Sequence, residues 1–491
     1  MKRFIVKAAC FILLTVVLLN RVNYVLMPKW IERPYYNALS QPYGFYHLKK
    51  NTTDVLLVGS SHCFYNYSPQ VIYDNYSIRS YSLASPGQNL IGSYYWIKEA
   101  LKYQKPQAIV LDTLYFFTDL SDPYNEGAHR KAINRMRFSP LKVQAILDIC
   151  KATPALKETS FLLPYTKFHS RWKELKMEDF SGPELSRHSE LKGILPIPWI
   201  QHDDSYSPFE TDSVIVPATI PEIDEKYIRK IASLCENNGI QLVFVKAPAK
   251  SWSADQSAGV KLIAEELGIP FYDMNLASLY SELDDYDYAE DGSDSLGHAN
   301  VRGMIKLSEY LGQVLSNDFH IIGKIDSQWE STSDYWEGIV KDFYLTQTES
   351  FKDYCNSLAK DDHYTLFLAS CGQIAGEEYD EINACLETLG ISFRNSEGNA
   401  FVAVVDDGDI IYEVNKKNRA ELNTSLDNGL IRIEMSSSNT KSEKTARIRM
   451  VDIYGDNEYA RNGTGFNVVV YDKYNMYVID RFFVSDSSII R

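Results

Sequence analysis

The sequence predicts an α/β fold built on a parallel sheet, and three observations lead to this prediction. Short apolar runs alternate with helical patterns between residues 54 and 315. The run at 55–58 contains no polar residue, as expected for a parallel strand that is buried on both faces. Hydrophobic residues make up 45% of the chain and charged residues 23%, which is typical of an ordered globular protein. Strands that alternate with helices form a parallel sheet covered on both sides.

The N-terminus predicts a membrane helix. Residues 4–27 are mostly apolar and long enough to cross a bilayer, which takes about 20 residues. Lys2, Arg3 and Lys7 flank the start of this stretch and favour a cytoplasmic N-terminus. The segment shows no convincing small-residue cleavage site, so we expect residues 1–27 to be an uncleaved signal anchor. The bulk of the protein is then expected outside the cell, after a juxtamembrane segment at residues 28–50.

The expected sheet domain covers residues 51–316, with an insertion at 117–217 that is expected to cap the sheet. Helix boundaries follow from local signals. Ser68 and Pro69 suit the N-cap and the first helical position, and Asn300 can cap the last helix. Gly239 and Gly268 suit the ends of two other helices. In order, the expected elements are a strand at 55–58, a helix from 69, a strand at 80–84, a helix at 89–103, a strand at 108–111, a helix at 221–238, a strand at 241–246, a helix at 254–267, a strand at 271–273 and a helix at about 300–315.

The last third of the chain predicts a second domain. A polar linker is expected at residues 317–335, and a mostly β domain of the α+β sandwich type at 336–491. A helical pattern at 377–389 is surrounded by strand-like runs. The expected strands are at 364–370, 400–405, 410–413, 430–435, 446–453, 466–471 and 477–483.

Charge and cysteine content exclude several functions. The net charge is −15, and no cluster of basic residues outside the N-terminus could neutralise nucleic-acid phosphates, so no nucleic-acid partner is expected. The seven cysteines show no metal-binding spacing, and free buried thiols are expected, although Cys355, Cys371 and Cys385 could supply one disulfide. The acidic run at 282–291 lacks the EF-hand spacing and is interpreted as a solvated loop. No metal or cofactor is expected.

Two motifs at opposite ends of the α/β region predict one site. Ser61 lies in the turn after the first strand, and His298 lies in the loop before the last helix. Both loops can reach the same edge of a parallel sheet, where functional groups collect. A serine hydroxyl needs a neighbouring base, and the base needs an orienting group. We therefore expect Ser61 to be a nucleophile, His298 its base and Asp294 the orienting carboxylate. Asp291, or a Ser-His dyad without a carboxylate, is the alternative.

The same turn suggests further roles. Backbone N–H groups after a strand can face a developing oxyanion, and those of Ser61 and Gly87 are the candidates. His62, beside the nucleophile, and Asn89 are candidate substrate-binding residues. A Gly-Ser-Ser turn or a histidine before a helix also occurs without catalysis, as chain punctuation or as a cap. The prediction therefore depends on the two motifs occurring together and in this order.

At these motifs residues 54–315 resemble the SGNH/GDSL hydrolase superfamily. The similarity extends to a membrane-anchored Gram-positive group, similar in plan to the D-alanyl transfer protein of teichoic acid modification and to alginate O-acetylation proteins. It is carried by VLLVGSSHCFYNYSP, YSLASPGQN and DSLGHANVRGMIKLSEYLG. The resemblance implies a flavodoxin-like, three-layer fold, acyl chemistry, and roles for Ser61, Gly87 and His298. The family's Gly-x-Asn-Asp block is replaced by Asp112-Thr113, which leaves one oxyanion donor unassigned. The carboxylate also stands four residues before the histidine, where the family has three.

Residues 336–491 resemble the interleukin-like EMT inducer domain. The resemblance is carried by EINACLETLGISF, AFVAVVDDGDIIYE and YARNGTGFNVVVYD. It implies a sugar-binding module, with a structural or oligomerising module as the alternative.

Together these observations favour a membrane-anchored, extracellular serine esterase or O-acyltransferase. The expected partners are a cell-envelope glycan or acylated polysaccharide and the membrane that holds the N-terminal helix. The alternative is a non-catalytic cell-surface protein that binds carbohydrate through both domains.

Overall fold

A computed structural model places the chain in two compact units, Met1–Trp336 and Glu337–Arg491. The residues that it describes are 2–28, 31–32, 36–37, 40–118, 120, 125–175, 177–180, 190–210, 215–359, 361–372, 376–393, 398–426, 431–452, 455–474, 477–485 and 488–491.

The first unit contains the predicted parallel sheet. A pair of two-residue strands, β1 (Ile31–Glu32) and β2 (Tyr36–Asn37), precedes it. The sheet strands are β3 (Val55–Gly59), β4 (Ser80–Ala84), β5 (Ala108–Asp112), β6 (Gln241–Lys246) and β7 (Phe271–Asp273). Their order is β4-β3-β5-β6-β7, and every pairing is parallel. This is the flavodoxin-like strand order, in which the direction of the connections reverses between β3 and β5.

Helices connect the strands and cover the sheet. Those of the sheet region are α2 (Ser40–His47), α3 (Ser61–Asn66), α4 (Pro69–Tyr76), α5 (Leu90–Ala100), α11 (Glu222–Asn237), α12 (Ala254–Leu267), α13 (Ala277–Tyr280), α14 (Tyr288–Asp291) and α15 (Val301–Asn317). The predicted caps are confirmed, since Ser68 accepts a hydrogen bond from the backbone N–H of Val71 and Asn300 accepts one from Gly303. Every residue of β3 is buried, as the apolar run predicted.

The insertion is helical between residues 126 and 180, and its described residues 193–210 form no helix. It contains α6 (Glu126–Ile133), α7 (Pro140–Ala152), α8 (Glu158–Leu162), α9 (Tyr165–Phe168) and α10 (Met177–Phe180). Helices α6 and α7 pack on α5, where the indole N–H of Trp96 donates to the carbonyl of Ala132 at 2.7 Å. Arg130 of α6 is buried and lies over the ring of Phe161 at 4.0 Å. The insertion is therefore anchored to the helix that follows β4.

The first helix, α1 (Lys2–Leu26), is long and apolar. Its segment Arg3–Leu26 has a mean hydropathy of 2.1, and the most apolar window is not buried against the rest of the protein. By length and composition it could cross a bilayer.

The polar stretch at 317–335 contributes to the first unit. It forms α16 (Ser327–Glu330), and the side chain of Trp329 is completely buried there. The indole N–H of Trp329 donates to the carbonyl of Ser80 on the edge strand β4. Asp326 also pairs with Arg79 at 3.2 Å.

The second unit is rich in antiparallel strands. Its helices are α17 (Ser333–Gln347), which begins in the first unit, α18 (Phe351–Leu358) and α19 (Gly376–Thr388). A six-stranded sheet has the order β10-β9-β8-β15-β16-β17, and a four-stranded sheet has the order β11-β12-β13-β14. The strands are β8 (Tyr364–Cys371), β9 (Asn399–Asp406), β10 (Asp409–Lys417), β11 (Arg419–Leu426), β12 (Ile431–Asn439), β13 (Lys444–Asp452), β14 (Gly455–Glu458), β15 (Gly465–Asp472), β16 (Tyr477–Ser485) and β17 (Ser488–Ile490).

Strand β8 lies at the centre of this unit and separates two cores. Leu366 and Leu368 face the core shared with α18 and α19, whereas Phe367 and Ala369 face the core shared with the four-stranded sheet. All eight residues of β8 are buried. A strand buried on both faces reads as a continuous apolar run, which is why the sequence predicted it.

The cysteines form no disulfide. All seven are free, and all but Cys10 in α1 are buried. The possible disulfide among Cys355, Cys371 and Cys385 is therefore not formed.

Candidate active site

Ser61 is the first residue of α3 and lies two residues beyond Gly59, the last residue of β3. Ser60 caps this helix, and its hydroxyl donates to Asp112 Oδ2 at 2.8 Å. A Cβ at Gly59 would lie 2.5 Å from Cβ of Asp112, so only glycine permits this approach of β3 and β5. The loops after these two strands, on either side of the switch point, are thereby joined, and Ser61 stands at the carboxyl edge of the sheet.

The imidazole of His298 contacts the Ser61 hydroxyl. His298 Nε2 lies 2.8 Å from Ser61 Oγ, and His298 Nδ1 lies 2.6 Å from Asp294 Oδ2. The carboxylate accepts a hydrogen bond from the Nδ1–H group, so Nε2 carries no proton and can accept the proton of the serine hydroxyl. The three residues that the sequence paired across 237 positions therefore form one hydrogen-bonded chain.

A tight loop lets a carboxylate four residues away reach the histidine. Asp294 Oδ1 accepts hydrogen bonds from the backbone N–H groups of Leu296 and His298, at 2.9 and 3.3 Å. Gly297 has φ = +94°, and a Cβ there would lie 2.8 Å from Cα of Ala249. Glycine at this position lets the loop turn back so that Asp294 reaches the imidazole.

The pKa of Asp294 reflects two opposing effects. Partial burial raises it, but the hydrogen bonds from the His298 imidazole and the loop N–H groups outweigh burial and hold it below its usual value. Asp294 is therefore ionised at neutral pH and can orient the His298 imidazole through its hydrogen bond.

Asp291, the alternative orienting residue, faces another way. Its carboxylate is fully buried and pairs with Arg302 Nε at 2.6 Å and Lys306 Nζ at 2.9 Å. The backbone N–H of Asp287 also donates to it. These contacts tie the loop before His298 to α15, and Asp291 belongs to this ion-pair network.

Asn66 holds the loop on both sides of His298. Its Nδ2 donates to the carbonyl of Gly297 at 3.1 Å, and its Oδ1 accepts from the N–H of Ala299 at 2.8 Å. Asn66 is fully buried at the end of α3. The helix that begins with Ser61 thus also positions the histidine. Asn66 was not among the predicted site residues. The only sequence signal was its position five residues after Ser61, which does not show what its side chain contacts.

The predicted oxyanion donors lie on neighbouring loops. Residue pairing aligns Gly59 with Ala84, so the loops with Ser61 and Gly87 leave the sheet at the same edge. Among the described residues, the backbone N–H groups of Ser61 and Gly87 have no hydrogen-bond acceptor. Gly87 has φ = +66°, and a Cβ there would lie 2.7 Å from Cβ of Ala128 on α6. The insertion therefore closes over this loop.

Tyr115 places a hydroxyl beside Gly87. Its Oη lies 3.4 Å from the Cβ position of Gly87, three residues beyond the end of β5. Within the described part of the chain this hydroxyl has no hydrogen-bond partner. Burial raises the pKa of Tyr115, with a smaller contribution from Asp112, so the hydroxyl keeps its proton and can donate. The sequence did not indicate this residue, because nothing in the strand pattern shows where the side chain of Tyr115 points.

The two candidate substrate-binding residues are buried. The ring of His62 is 2% exposed and lies 5.2 Å from the ring of His298. Asn89 caps α5 by accepting from the N–H of Gly92, and its Nδ2 lies 3.2 Å from His129 Nδ1. The polar groups of both residues contact other protein groups in the structure. Substrate contact by either residue stays a prediction.

One group of described residues could offer ligands to a metal ion. It consists of Asp361, Asp362 and His363 in the second unit, where Asp362 is exposed. Asp361 already pairs with Lys341, and exposed acidic groups are common without an ion.

Fold and site together define an α/β protein with a Ser-His-Asp chain at the carboxyl edge of a parallel sheet. Neither a known protein family nor a curated protein matches the sequence. Among solved structures, the chain is similar to a provisionally assigned acylhydrolase from Bacteroides fragilis, at 12% identity and a TM-score of 0.27, over 56% of this chain and 94% of that one. It is also similar to a provisionally assigned lipolytic protein of the G-D-S-L family from Desulfitobacterium hafniense, at 13% identity and a TM-score of 0.27, over 54% and 100%. Similarity at this level does not establish the family.

Proposed function

We propose that the protein is a membrane-anchored serine esterase or O-acyltransferase that acts on acyl groups of cell-envelope glycans outside the cell. The observation that carries the proposal is the hydrogen-bonded chain from Asp294 through His298 to Ser61. A serine, an imidazole and an ionised carboxylate at these distances supply a nucleophile, its base and the group that orients the base.

The geometry supports a two-step acyl transfer. Ser61 Oγ attacks the acyl carbonyl while His298 Nε2 takes the hydroxyl proton, and the carbonyl oxygen becomes an oxyanion. The ester bond then breaks, and the proton on Nε2 passes to the departing alkoxide. This leaves an ester on Ser61 and a free alcohol. Water or a sugar hydroxyl next attacks that ester, gives its proton to Nε2, and Ser61 regains a proton as it leaves.

Three groups suit the oxyanion. The N–H groups of Ser61 and Gly87 have no acceptor among the described residues, and the Tyr115 hydroxyl lies next to Gly87. Donors that are already oriented before the reaction lower the barrier more than donors that must reorganise. Tyr115 would then occupy, in function, the place of the donor missing after β5.

Helix α1 supports the membrane part of the proposal. It has the length and hydropathy of a single span, and Lys2, Arg3 and Lys7 favour its start on the cytoplasmic side. The acyl-transfer site would then act on the outer side of the membrane, where envelope glycans are found. Fractionation with protease protection of intact cells tests this placement.

A fluorophosphonate probe tests the catalytic part. The probe phosphonylates only a serine that a base activates, so the full-length protein in detergent should be labelled, and Ser61→Ala should not. Ser170→Ala, which removes an exposed hydroxyl in the insertion, is the matched control and should label like the wild type. A wild-type protein that no probe labels across pH 6 to 9 would contradict the proposal.

Hydrolysis and transfer can be separated by the fate of the acyl group. Full-length protein is incubated with an acetyl ester and a glycan acceptor, and the products are identified by mass spectrometry. Acyl groups found on the glycan indicate a transferase, and free acid alone indicates an esterase.

A second candidate function is carbohydrate binding by the second unit. It has its own two cores, and Tyr412 on the edge strand β10 is 44% exposed, where an aromatic ring could stack on a sugar. A glycan array probed with the full-length protein tests this, with Tyr412→Ala as the variant. If no glycan is retained, the unit has another role.

A further inference from the structure

Helix α1 changes its surroundings along its length. Residues 3–22 are exposed except for two half-buried positions. At about 1.5 Å per residue they extend over about 30 Å, which is the thickness of the hydrocarbon layer of a bilayer. Residues 23–26 are half-buried, and Met27 is buried. Burial therefore begins at the point where a membrane span of this length would end.

Polar contacts hold the buried end of α1 on the insertion. The guanidinium of Arg171 donates from Nη1 to the carbonyl of Leu26, the last residue of α1, at 2.8 Å. Asn23 Oδ1 accepts a hydrogen bond from the backbone N–H of Tyr165 at 2.9 Å. A guanidinium at the last turn of a helix binds a carbonyl that has no partner within the helix, and its charge complements the helix dipole. The helix also packs against α9, α10 and the 3₁₀ turn His169–Lys173 that connects them, so its direction relative to the insertion is fixed.

Two aromatic side chains beside these contacts project into solvent. Trp172, next to Arg171, is 65% exposed, and Phe180, next to Asp179, is 60% exposed. Arg171 connects the two positions, because its Nη2 pairs with Asp179 Oδ1 at 2.9 Å. The exposed ammonium of Lys173 lies 5.6 Å from the centre of the Trp172 ring. A single exposed apolar side chain is common, but two aromatic rings and a lysine at the end of an apolar helix indicate a contact surface.

We propose that Trp172, Lys173 and Phe180 form an interfacial surface that lies in the headgroup region of the outer leaflet when α1 spans the bilayer. This inference rests on the membrane-anchored part of the proposed function. Tryptophan is enriched at that depth because its ring is apolar while its N–H group can bind water or a headgroup. A lysine ammonium at the same depth is attracted to anionic lipids. The bilayer is the occupant of this surface, since both rings adjoin the residues that hold the end of the span.

The segment that carries the interfacial surface is also connected to the candidate active site, through α6. Arg130 of α6 donates to the carbonyl of Ser160 at 3.0 Å and to its hydroxyl at 2.7 Å. Lys167 of α9 pairs with Glu126 of α6 at 2.6 Å. On its other side, α6 places Ala128 against the loop after β4. The interfacial surface would therefore hold the catalytic edge of the sheet at a fixed distance from the lipid.

The depth of Trp172 can be measured by fluorescence quenching. The full-length protein is reconstituted in vesicles of phosphatidylcholine and phosphatidylglycerol, with and without lipid that is brominated on the acyl chain near the headgroup. Subtracting the spectrum of Trp172→Leu from that of the wild type gives the emission of Trp172 alone. Trp199→Leu, at a tryptophan that is 44% exposed, gives the matched control. We expect brominated lipid to remove most of the Trp172 emission and to leave the Trp199 emission nearly unchanged. Quenching of Trp172 no stronger than that of Trp199 overturns the proposal.

Phe180 is tested by moving the reporter. In the Trp172→Leu background, Phe180→Trp should restore emission that brominated lipid quenches. Leu262→Trp in the same background replaces an exposed apolar residue of α12 and should add emission that the lipid does not quench. A reporter at position 180 that is quenched no more than the one at position 262 refutes a surface shared by the two aromatic residues.

Extraction with alkaline carbonate separates this inference from the membrane part of the proposed function. Wild-type protein that carbonate releases from cell membranes is not integral, which refutes the anchor together with the interfacial surface. Protein that stays in the membrane while Trp172 is unquenched has a membrane-spanning α1, and only the interfacial surface is refuted. Neither measurement depends on acyl transfer, which fluorophosphonate labelling of Ser61 tests separately.

Discussion

Asp294 Oδ2 lies 2.6 Å from His298 Nδ1, although only three residues separate them along a non-helical loop. The same carboxylate accepts hydrogen bonds from two backbone N–H groups of that loop. Asp294 therefore stabilises the loop conformation as well as the orientation of the imidazole. The distance between Asp294 Oδ2 and His298 Nδ1 is slightly shorter than the about 2.7–2.9 Å that is usual for a charge-assisted N–H···O hydrogen bond.

The two nearby carboxylates should differ in their effect on activity. Asp294→Asn should slow fluorophosphonate labelling by about 10³- to 10⁴-fold, because the amide leaves His298 in the wrong tautomer. Asp291→Asn should lower the melting temperature, since it weakens the pairs with Arg302 and Lys306, but folded protein should label normally. The opposite result, with activity lost only at position 291, would show that the loop rearranges in solution.

Asn66 should matter for labelling although it does not contact a reacting atom. Asn66→Ala leaves the carbonyl of Gly297 and the N–H of Ala299 without partners, and each buried orphan costs about 1–3 kcal/mol. The loop should shift, and labelling should slow by about 10- to 100-fold. Labelling kinetics and thermal melting measure the two effects. Asn238→Ala, at an exposed helix end, is the control, and equal behaviour of the two variants would contradict the prediction.

Glycine at 297 is required by backbone conformation and by space. Gly297→Ala places a Cβ at φ = +94° and 2.8 Å from Cα of Ala249, so it should destabilise the protein by at least about 1–2 kcal/mol and reduce labelling. Gly127→Ala is the matched control. A Cβ there meets nothing within 4 Å, and alanine favours the helix by about 0.5–1 kcal/mol. Melting curves of the two variants should move in opposite directions.

Tyr115→Phe tests the additional oxyanion donor. Removing one oriented donor should lower the rate of acylation by about 10²- to 10³-fold, with little change in melting temperature because this hydroxyl has no hydrogen-bond partner among the described residues. Hydrolysis of an activated acetyl ester measures the rate. Tyr227→Phe, which removes a hydroxyl bonded to Asp148, is the comparison and should affect stability more than rate. An unchanged rate in Tyr115→Phe would remove Tyr115 from the site.

A buried carboxyl on α11 should make stability depend on pH. Burial raises the pKa of Asp224 to about 7, and its Oδ1 has no hydrogen-bond partner among the described residues. Since the folded state holds this proton more tightly than the unfolded state, the stabilisation is complete below about pH 4 and is lost as pH rises to about 7, at about 1.4 kcal/mol per pH unit.

Asp224→Asn should flatten that dependence. Denaturant unfolding of the wild type and the variant at pH 5 and pH 8 gives the two slopes. Glu222→Gln, an exposed change in the same helical turn, should retain the wild-type slope. If Asp224→Asn also retains it, another group is responsible.

Parts of the second unit show why some elements could not be predicted. Strand β11 was missed because Arg, Glu and Asn are unusual in strands, and only Ala420 of its eight residues is buried. It becomes a strand by pairing along its whole length with β12. In the first unit, the burial of Trp329 could not be predicted either. The polar residues around it predicted a linker, but its ring is buried in the first unit.

By itself the sequence determined the parallel sheet, the order of its elements, the apolar N-terminal helix and the meeting of Ser61 with His298. These follow from local composition and from the rule that parallel strands end at one edge. Only the tertiary structure decided that Asp294 rather than Asp291 faces His298, that Asn66 holds the loop, and that Tyr115 lies beside Gly87. Those contacts depend on one glycine dihedral and on side chains as many as 233 residues apart, and no local pattern encodes such directions.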